Sequence, residues 1–220
     1  MSQIPIIIEK KSKYKTKDFV VSLSNKNSYE WIKNWPNWPE YMHILNIYGP
    51  ALSGKTHLGK IWKKNADAKT FFKLKDFNSV EKSKKFNFIL ENFDNNFLYN
   101  EKALFHLLNH IKYTKGYLLL LSREPVSKID FNLDDLNSRF NSVLKQKIEP
   151  PDDYLLKGIL KKLFVEKQCL VSDKILDYLV KRINRNYEDI NKIASLINEY
   201  SLSMKKKVSF SIVRTILEKE

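Results

Sequence analysis

"YGPALSGKTHL", Tyr48 to Leu58, is the stretch whose reading decides the fold. It ends the apolar run "MHILNIYG", whose length and β-branched content predict a buried strand, and it opens "GKTHLGKIWKKNA", where Leu58, Ile61 and Trp62 fall at helical spacing. Inside it, "GPALSGKT" fits G-x-x-x-x-G-K-[ST] through Gly49, Gly54, Lys55 and Thr56. The glycines let backbone N–H groups turn inward around a phosphate chain, Lys55 supplies a point charge, and the Thr56 hydroxyl is a ligand for Mg²⁺. The pattern by itself arises by chance in unrelated proteins. A strand before it and a helix starting within it give it the context that phosphate binding requires.

Downstream of this loop, "KTFFKL", "KFNFILEN", "GYLLLLS" and "SVLKQKIE" read as further strands and "NEKALFHLLNHIKYT" as a helix. Near-continuous apolar strands alternating with helices predict an α/β fold, a five-stranded parallel sheet covered on both faces. Upstream, "SLSNKNSYEWI" starts a helix that "WPNWPE" ends, because each proline biases its predecessor away from the helical region. The character changes at "EPPDD", Glu149 to Asp153, where the prolines stop the last strand and the aspartates can cap a new helix. "YLLKGILKKLFVEK", "SDKILDYLVKRIN", "NYEDINKIASLINEYSL" and a last amphipathic segment in "KKKVSFSIVRTILEK" then predict an all-helical unit. The expected organisation is a tail over 1–15, a nucleotide-binding α/β core over 16–150 and a small helical unit over 151–220.

With 220 residues, 43% of them apolar, the chain can bury a substantial core. Its one cysteine, Cys169, excludes an internal disulfide, and four singly scattered histidines offer no metal cluster. The net charge of +14 is nearly all lysine, interleaved with asparagine and isoleucine, and it reads both as affinity for nucleic acid and as compositional bias. The N-terminal apolar run is short, with no basic stretch before it and no cleavage site after it, so no signal peptide is expected. The longest apolar run falls well short of the roughly 20 residues of a membrane span. A soluble, cytoplasmic protein is expected.

An acid at the end of a neighbouring strand should face the Mg²⁺ side, and "FNFILEN" offers Glu91. Asn92 stands where many such enzymes carry a second carboxylate; an amide can hold a water but cannot take its proton. The pair also reads as a plain strand-to-loop turn. Arg139, just before the fifth strand, reads as a surface arginine or as one that reaches a phosphate on a neighbouring molecule. "QIPIII" in the tail reads as a docking peptide for a partner or as a strand on its own domain.

Taken together, these residues resemble the AAA+ ATPases of the bacterial initiator DnaA branch, and within it the shorter Hda-type regulators. The resemblance runs through "DFVVSLSNKNSYEWI", "WPNWP", "IYGPALSGKTHL", "LSREP", "DLNSRF", "PPDDYLLKGILKKLF" and "VSFSIVRTIL", over nearly the whole chain. It implies an AAA+ core with a helical lid over 151–220, and a bound ADP or ATP with Mg²⁺. Phe19, Val20 and Asn25 match the adenine side; Gly49, Pro50, Ser53, Gly54, Lys55, Thr56 and His57 match the phosphate loop. Glu91 matches the Mg²⁺-side acid beside Thr56, with Asn92 next to it, and Ser122 matches the polar sensor after the fourth strand.

The same resemblance implies that Gln3, Ile4, Ile6 and Ile8 bind the DNA polymerase III β sliding clamp, with isoleucines in place of the usual leucines and phenylalanine. Arg139 matches an arginine finger that acts in trans on ATP held by DnaA, preventing re-initiation on the chromosome. DNA beside the clamp and a homodimer are further expected partners, and the protein would join the nucleoid during replication. The chain is expected to lack the DNA-reading domain of the initiators. Three departures stand out. Asn92 implies poor intrinsic turnover, the polar sensor falls at Ser122-Arg123 where DnaA has an aspartate, and Glu188 falls where the lid's nucleotide-sensing arginine is expected, with Arg185 close by. The alternative is a DnaA-like or loader-type ATPase acting directly on origin DNA.

Overall fold

A computed structural model of the protein describes residues 16–39, 43–75, 78–81, 86–95 and 99–219. The expected clamp peptide, Gln3, Ile4, Ile6 and Ile8, lies outside the described residues. In chain order the elements are α1 (Lys26–Asn34), β1 (Ile44–Tyr48), α2 (Lys55–Asn65), β2 (Lys69–Phe71), α3 (Asn78–Glu81), β3 (Phe88–Leu90), α4 (Glu101–Thr114), β4 (Leu118–Ser122), α5 (Asp134–Asn141), β5 (Leu144–Lys147), α6 (Asp153–Glu166), α7 (Asp173–Val180), α8 (Tyr187–Ser203) and α9 (Phe210–Leu217).

The strands form one parallel sheet in the order β2-β3-β4-β1-β5. Leu45 pairs with Leu119 on one side and Leu144 on the other, and Leu120 of β4 pairs with Leu90. Because side chains alternate along a strand, β4 serves two cores at once. Leu118 and Leu120 join Leu104, Leu107, Ile111 and Phe140 from α4 and α5 on one face. Leu119 and Leu121 join Ile32, Leu58, Ile61 and Trp62 from α1 and α2 on the other. On that second face Trp38 stacks on Trp62 at 5.8 Å and Trp35 meets Trp62 edge-on at 6.1 Å.

The sequence overestimates the outer strands. β2 stops at Phe71, and Leu74 makes only an isolated bridge to Tyr99. The reason is position: β2 is a sheet edge, paired on one side only, so little holds its exposed continuation at Phe72. The helix expected from Ser22 begins at Lys26, because the Asn25 side chain accepts from the Ser22 amide at 2.9 Å and closes a turn there.

Helices α6 to α9 share a third core, with Leu156, Leu160, Phe164, Leu179, Ile190, Ile197 and Val213 at its centre. Asp152 caps α6 by accepting from the Leu155 amide at 2.8 Å. Its second oxygen accepts from the Ser24 hydroxyl at 3.1 Å, which ties α6 to the loop before α1. Tyr187, at the start of α8, donates to the Glu149 carbonyl at 2.9 Å. Among the described residues, no helix is long and apolar enough to cross a membrane.

Candidate functional site

The loop between β1 and α2 turns on its glycines. Gly54 sits at φ 96°, in the left-handed region that a side chain would strain. A Cβ on Gly49 would stand 2.8 Å from the Ile148 carbonyl oxygen, so the loop leaves the sheet through a gap that only glycine passes. The Lys55 ammonium donates to the carbonyls of Gly49 at 2.8 Å and Pro50 at 2.6 Å. Burial pulls its pKa down to about 8, with the Arg123 charge pulling the same way and Asp94 and Glu91 opposing.

Thr56 and Glu91 meet across the site, the threonine hydroxyl donating to Glu91 Oε2 at 3.0 Å. Glu91 is 5% exposed, and its burial raises the carboxyl pKa against the bond from Thr56 and the charges of Lys60 and Lys55. The Tyr99 hydroxyl donates to the Glu91 carbonyl, fixing the backbone at the strand end. Asn92 follows at φ 53°, exposed, in a left-handed turn that asparagine tolerates better than most residues.

A cavity of about 450 Å³ joins these groups to the helical unit. Phe19, Val20 and Asn25 line it on one side; Asn25 donates to the Val20 carbonyl at 2.9 Å, and the Phe19 ring meets His57 edge-on at 5.2 Å. Opposite stand Leu155, Ile159 and Lys162 of α6 and Tyr187 and Asn191 of α8. Lys162 donates to the Asp18 carbonyl at 3.2 Å. The donor set fits a nucleoside phosphate with Mg²⁺: an apolar slot for a base, a helix N-terminus and a lysine for phosphates, one hydroxyl and one carboxylate for a cation that keeps most of its waters. Among the described residues there is no cluster of three or more His, Cys, Asp or Glu that would hold a metal without such a ligand.

Of the described residues singled out in the sequence, most line or frame this cavity, and Ser122, Glu188, Arg185 and Arg139 do not. Ser122 is turned away: it accepts from Asn46 Nδ2 at 2.9 Å and donates to the Glu124 carbonyl at 2.6 Å, and the next residue, Arg123, lines the cavity instead. Glu188 is exposed, and Arg185 pairs with Asp153 at 2.9 Å, so Tyr187 and Asn191 occupy that corner. Arg139 lies elsewhere. Its Nε meets Asp135 Oδ2 at 2.6 Å, its Nη1 donates to Asn109 at 2.8 Å, and its guanidinium lies 5.3 Å from the centre of the Phe105 ring. Sequence reasoning missed the α6 wall, although Leu155, Ile159, Lys162 and Glu166 recur at the spacing of one helix face.

A parallel sheet in this order, with a glycine loop after β1, an acid after β3 and a helical unit closing the cavity, defines an AAA+ fold. No protein-family model matches the chain. It is 26% identical over 246 aligned positions to the chromosomal replication initiator protein DnaA of Buchnera aphidicola, covering 99% of this chain and 55% of that protein. Domain III of the Thermotoga maritima replication initiation protein DnaA superposes with a TM-score of 0.72 at 22% identity, covering 94% of this chain and 97% of that one. AMPPCP-bound DnaA from Aquifex aeolicus gives 0.67 at 22% identity, over 87% and 67% of the two chains. The chain is thus similar, at modest identity, to DnaA. It spans about half the length of the curated relatives it matches.

Proposed function

We propose that this chain is an Hda-like AAA+ regulator of replication initiation, with residues 16–150 as its nucleotide-binding core and 151–220 as its lid. It holds ADP with Mg²⁺ at Lys55, Thr56 and Glu91, docks on the DNA-loaded sliding clamp through Gln3, Ile4, Ile6 and Ile8, and presents Arg139 to ATP held by DnaA. Hydrolysis then occurs on the partner, where a planar guanidinium neutralises charge developing on the phosphoryl group. The observation that carries this reading is where Arg139 stands. It lies on α5 near the N-terminal ends of β1 and β5, whereas the phosphate loop leaves the C-terminal end of β1. The length of β1 alone puts ~13 Å between those ends. Asn92 in place of a second carboxylate supports the same reading, since it cannot serve as a base for the chain's own nucleotide.

Single-turnover hydrolysis of DnaA-bound labelled ATP, with DNA-loaded clamp, tests it. The native protein is expected to accelerate hydrolysis at least 100-fold more than its folded, clamp-bound Arg139→Ala variant, in keeping with arginine fingers worth roughly 10³ to 10⁵. Equal rates for the two proteins sink the proposal. A second reading, an ATPase acting directly on origin DNA, draws support from the initiator names of the relatives. Steady ATP turnover by the isolated chain would favour it.

A further inference from the structure

Leu52, in the middle of the phosphate loop, holds a conformation that its own side chain opposes. Its φ is 61°, in the left-handed region where a Cβ crowds the following carbonyl oxygen. Among the described residues, the other non-glycine positions at positive φ have ordinary causes. Asp67, Lys115, Gln168 and Lys205 stand at or just after a helix C-terminus, where one left-handed residue turns the chain out, and Asn92 is an asparagine. Leu52 ends no helix, and its side chain has no polar atom to bond the backbone nearby. It is also the one branched apolar residue between Gly49 and Thr56, where Ala51, Ser53 and Gly54 are small. Its side chain stands 60% exposed and yet lines the nucleotide cavity, together with Lys55, Thr56 and Arg123. The backbone beneath it is held, since Ser53 is buried and the Lys55 ammonium binds the Gly49 and Pro50 carbonyls.

Strain and exposure thus fall on one residue, and packing in the free protein compensates for neither. Backbone strain kept at a ligand cavity points to a role that the free fold does not explain. We propose that Leu52 is a latch on the bound nucleotide, its isobutyl group covering the phosphate end of a nucleoside diphosphate or triphosphate and slowing release. This deepens the reading that the nucleotide is kept as a fixed part, and it rests on that reading for the ligand. The cover acts through water. Lys55 and Arg123 hold a phosphate chain more firmly where solvent is excluded, and the nucleotide has to displace the side chain before it leaves. Leu52 is a positioning residue, with no bond to the ligand and no part in hydrolysis.

Release kinetics test the proposal. The full chain is loaded with Mg²⁺ and ADP carrying a fluorescent N-methylanthraniloyl group on its ribose, then chased with excess unlabelled ADP in a stopped-flow instrument. Leu52→Gly and Leu52→Asn both suit a left-handed backbone and both remove the cover. Each is expected to release the nucleotide about tenfold faster than the native chain, with association changed less than about twofold. Leu52→Met keeps an apolar side chain of similar volume and should release at close to the native rate. The melting temperature of the nucleotide-free protein separates a latch from a structural role. Relief of strain should leave it unchanged or raised in the Gly variant, even as release quickens. Faster release together with a clear fall in that temperature assigns Leu52 to the loop's own structure and overturns the latch. Equal release by the native and Gly proteins, or release by the Met variant as fast as by Gly, overturns it too. A native protein that binds no labelled ADP overturns the nucleotide reading along with it.

Discussion

Thr56 and Glu91, 35 positions apart in the chain, are joined by a single hydrogen bond of 3.0 Å across the mouth of the sheet. The bond places one neutral and one acidic oxygen side by side where a Mg²⁺ with its own waters would need them. Glu91→Gln keeps the bond's acceptor and removes the charge. Nucleotide affinity in the presence of Mg²⁺ is expected to fall about tenfold, while affinity without Mg²⁺ holds or rises. Titrations with and without the cation decide, and an undiminished Mg²⁺ effect in the variant removes Glu91 from the metal side.

Lys55 sets the pH response of the same site. Its pKa of about 8 means that the free protein loses this proton just above neutrality. A polyanion binds the protonated form, so affinity is full below pH 8 and falls as pH rises through it, by up to about tenfold per unit until the pKa of the bound state is reached. Calorimetry at pH 7, 8 and 9, in buffers of different ionisation heat, should show net proton uptake on binding at pH 8 and 9. Flat affinity across that range contradicts the assignment.

Of the pair Ser122-Arg123 to which the sequence points, Arg123 lines the cavity. Its charge, near enough to depress the Lys55 pKa, should add to phosphate binding. Arg123→Ala is expected to weaken a triphosphate analogue roughly tenfold, in line with about 1.5 to 3 kcal/mol for a charged hydrogen bond, and to leave AMP nearly unchanged. An equal loss for both ligands would mean that the residue shapes the cavity without reading phosphate.

Gly158 on α6 meets the adenine-side loop: a Cβ there would lie 2.9 Å from Val20 Cγ1. Alanine favours a helix over glycine by up to ~1 kcal/mol, which offsets part of the cost of moving Val20, so Gly158→Ala should change the melting temperature little. Nucleotide affinity should nevertheless drop severalfold, because the added methyl displaces one wall of the base slot. Thermal melts paired with nucleotide titrations separate the two effects, and unaltered affinity would show that α6 does not shape the slot.

Asp152 has two tasks, capping α6 and holding Ser24. Burial acts to raise its pKa, yet the bonds from the Leu155 amide, Ser22 and Ser24 hold it below the usual aspartate value. The stability it contributes is therefore present above the unfolded pKa of about 3.9 and lost as pH falls through the lower folded value. Asp152→Ala should cost about 1 to 2 kcal/mol near pH 7 and progressively less in acid, measured by urea unfolding across that range. A penalty independent of pH would assign the loss to packing.

The glycine loop, the alternation of strands and helices and the helical unit behind "EPPDD" were legible because each rests on local chemistry: a spacing, a periodicity, a cap. β4 was legible for a further reason, since its burial on both faces leaves an unbroken run of leucines. The parts that escaped are those only the third dimension supplies. Ser122 and Arg123 are neighbours, and nothing local says which faces the cavity; Asn46, far away on β1, decides it by bonding Ser122. Arg139 and Asn109 lie 30 positions apart and meet only once α5 has packed against α4.

The tryptophans of the second face have an optical consequence. The chain has four, Trp31, Trp35, Trp38 and Trp62, all between α1 and the end of α2. Emission excited at the red edge of the absorption band therefore arises from one side of the sheet, beside the helix that begins at Lys55. Far-ultraviolet ellipticity, in contrast, draws about equally on α1 to α5 and on α6 to α9, which contain none. The two signals thus sample different parts of the molecule without any label, and a gap between their unfolding midpoints shows that the tryptophan-bearing side and the helical unit unfold separately.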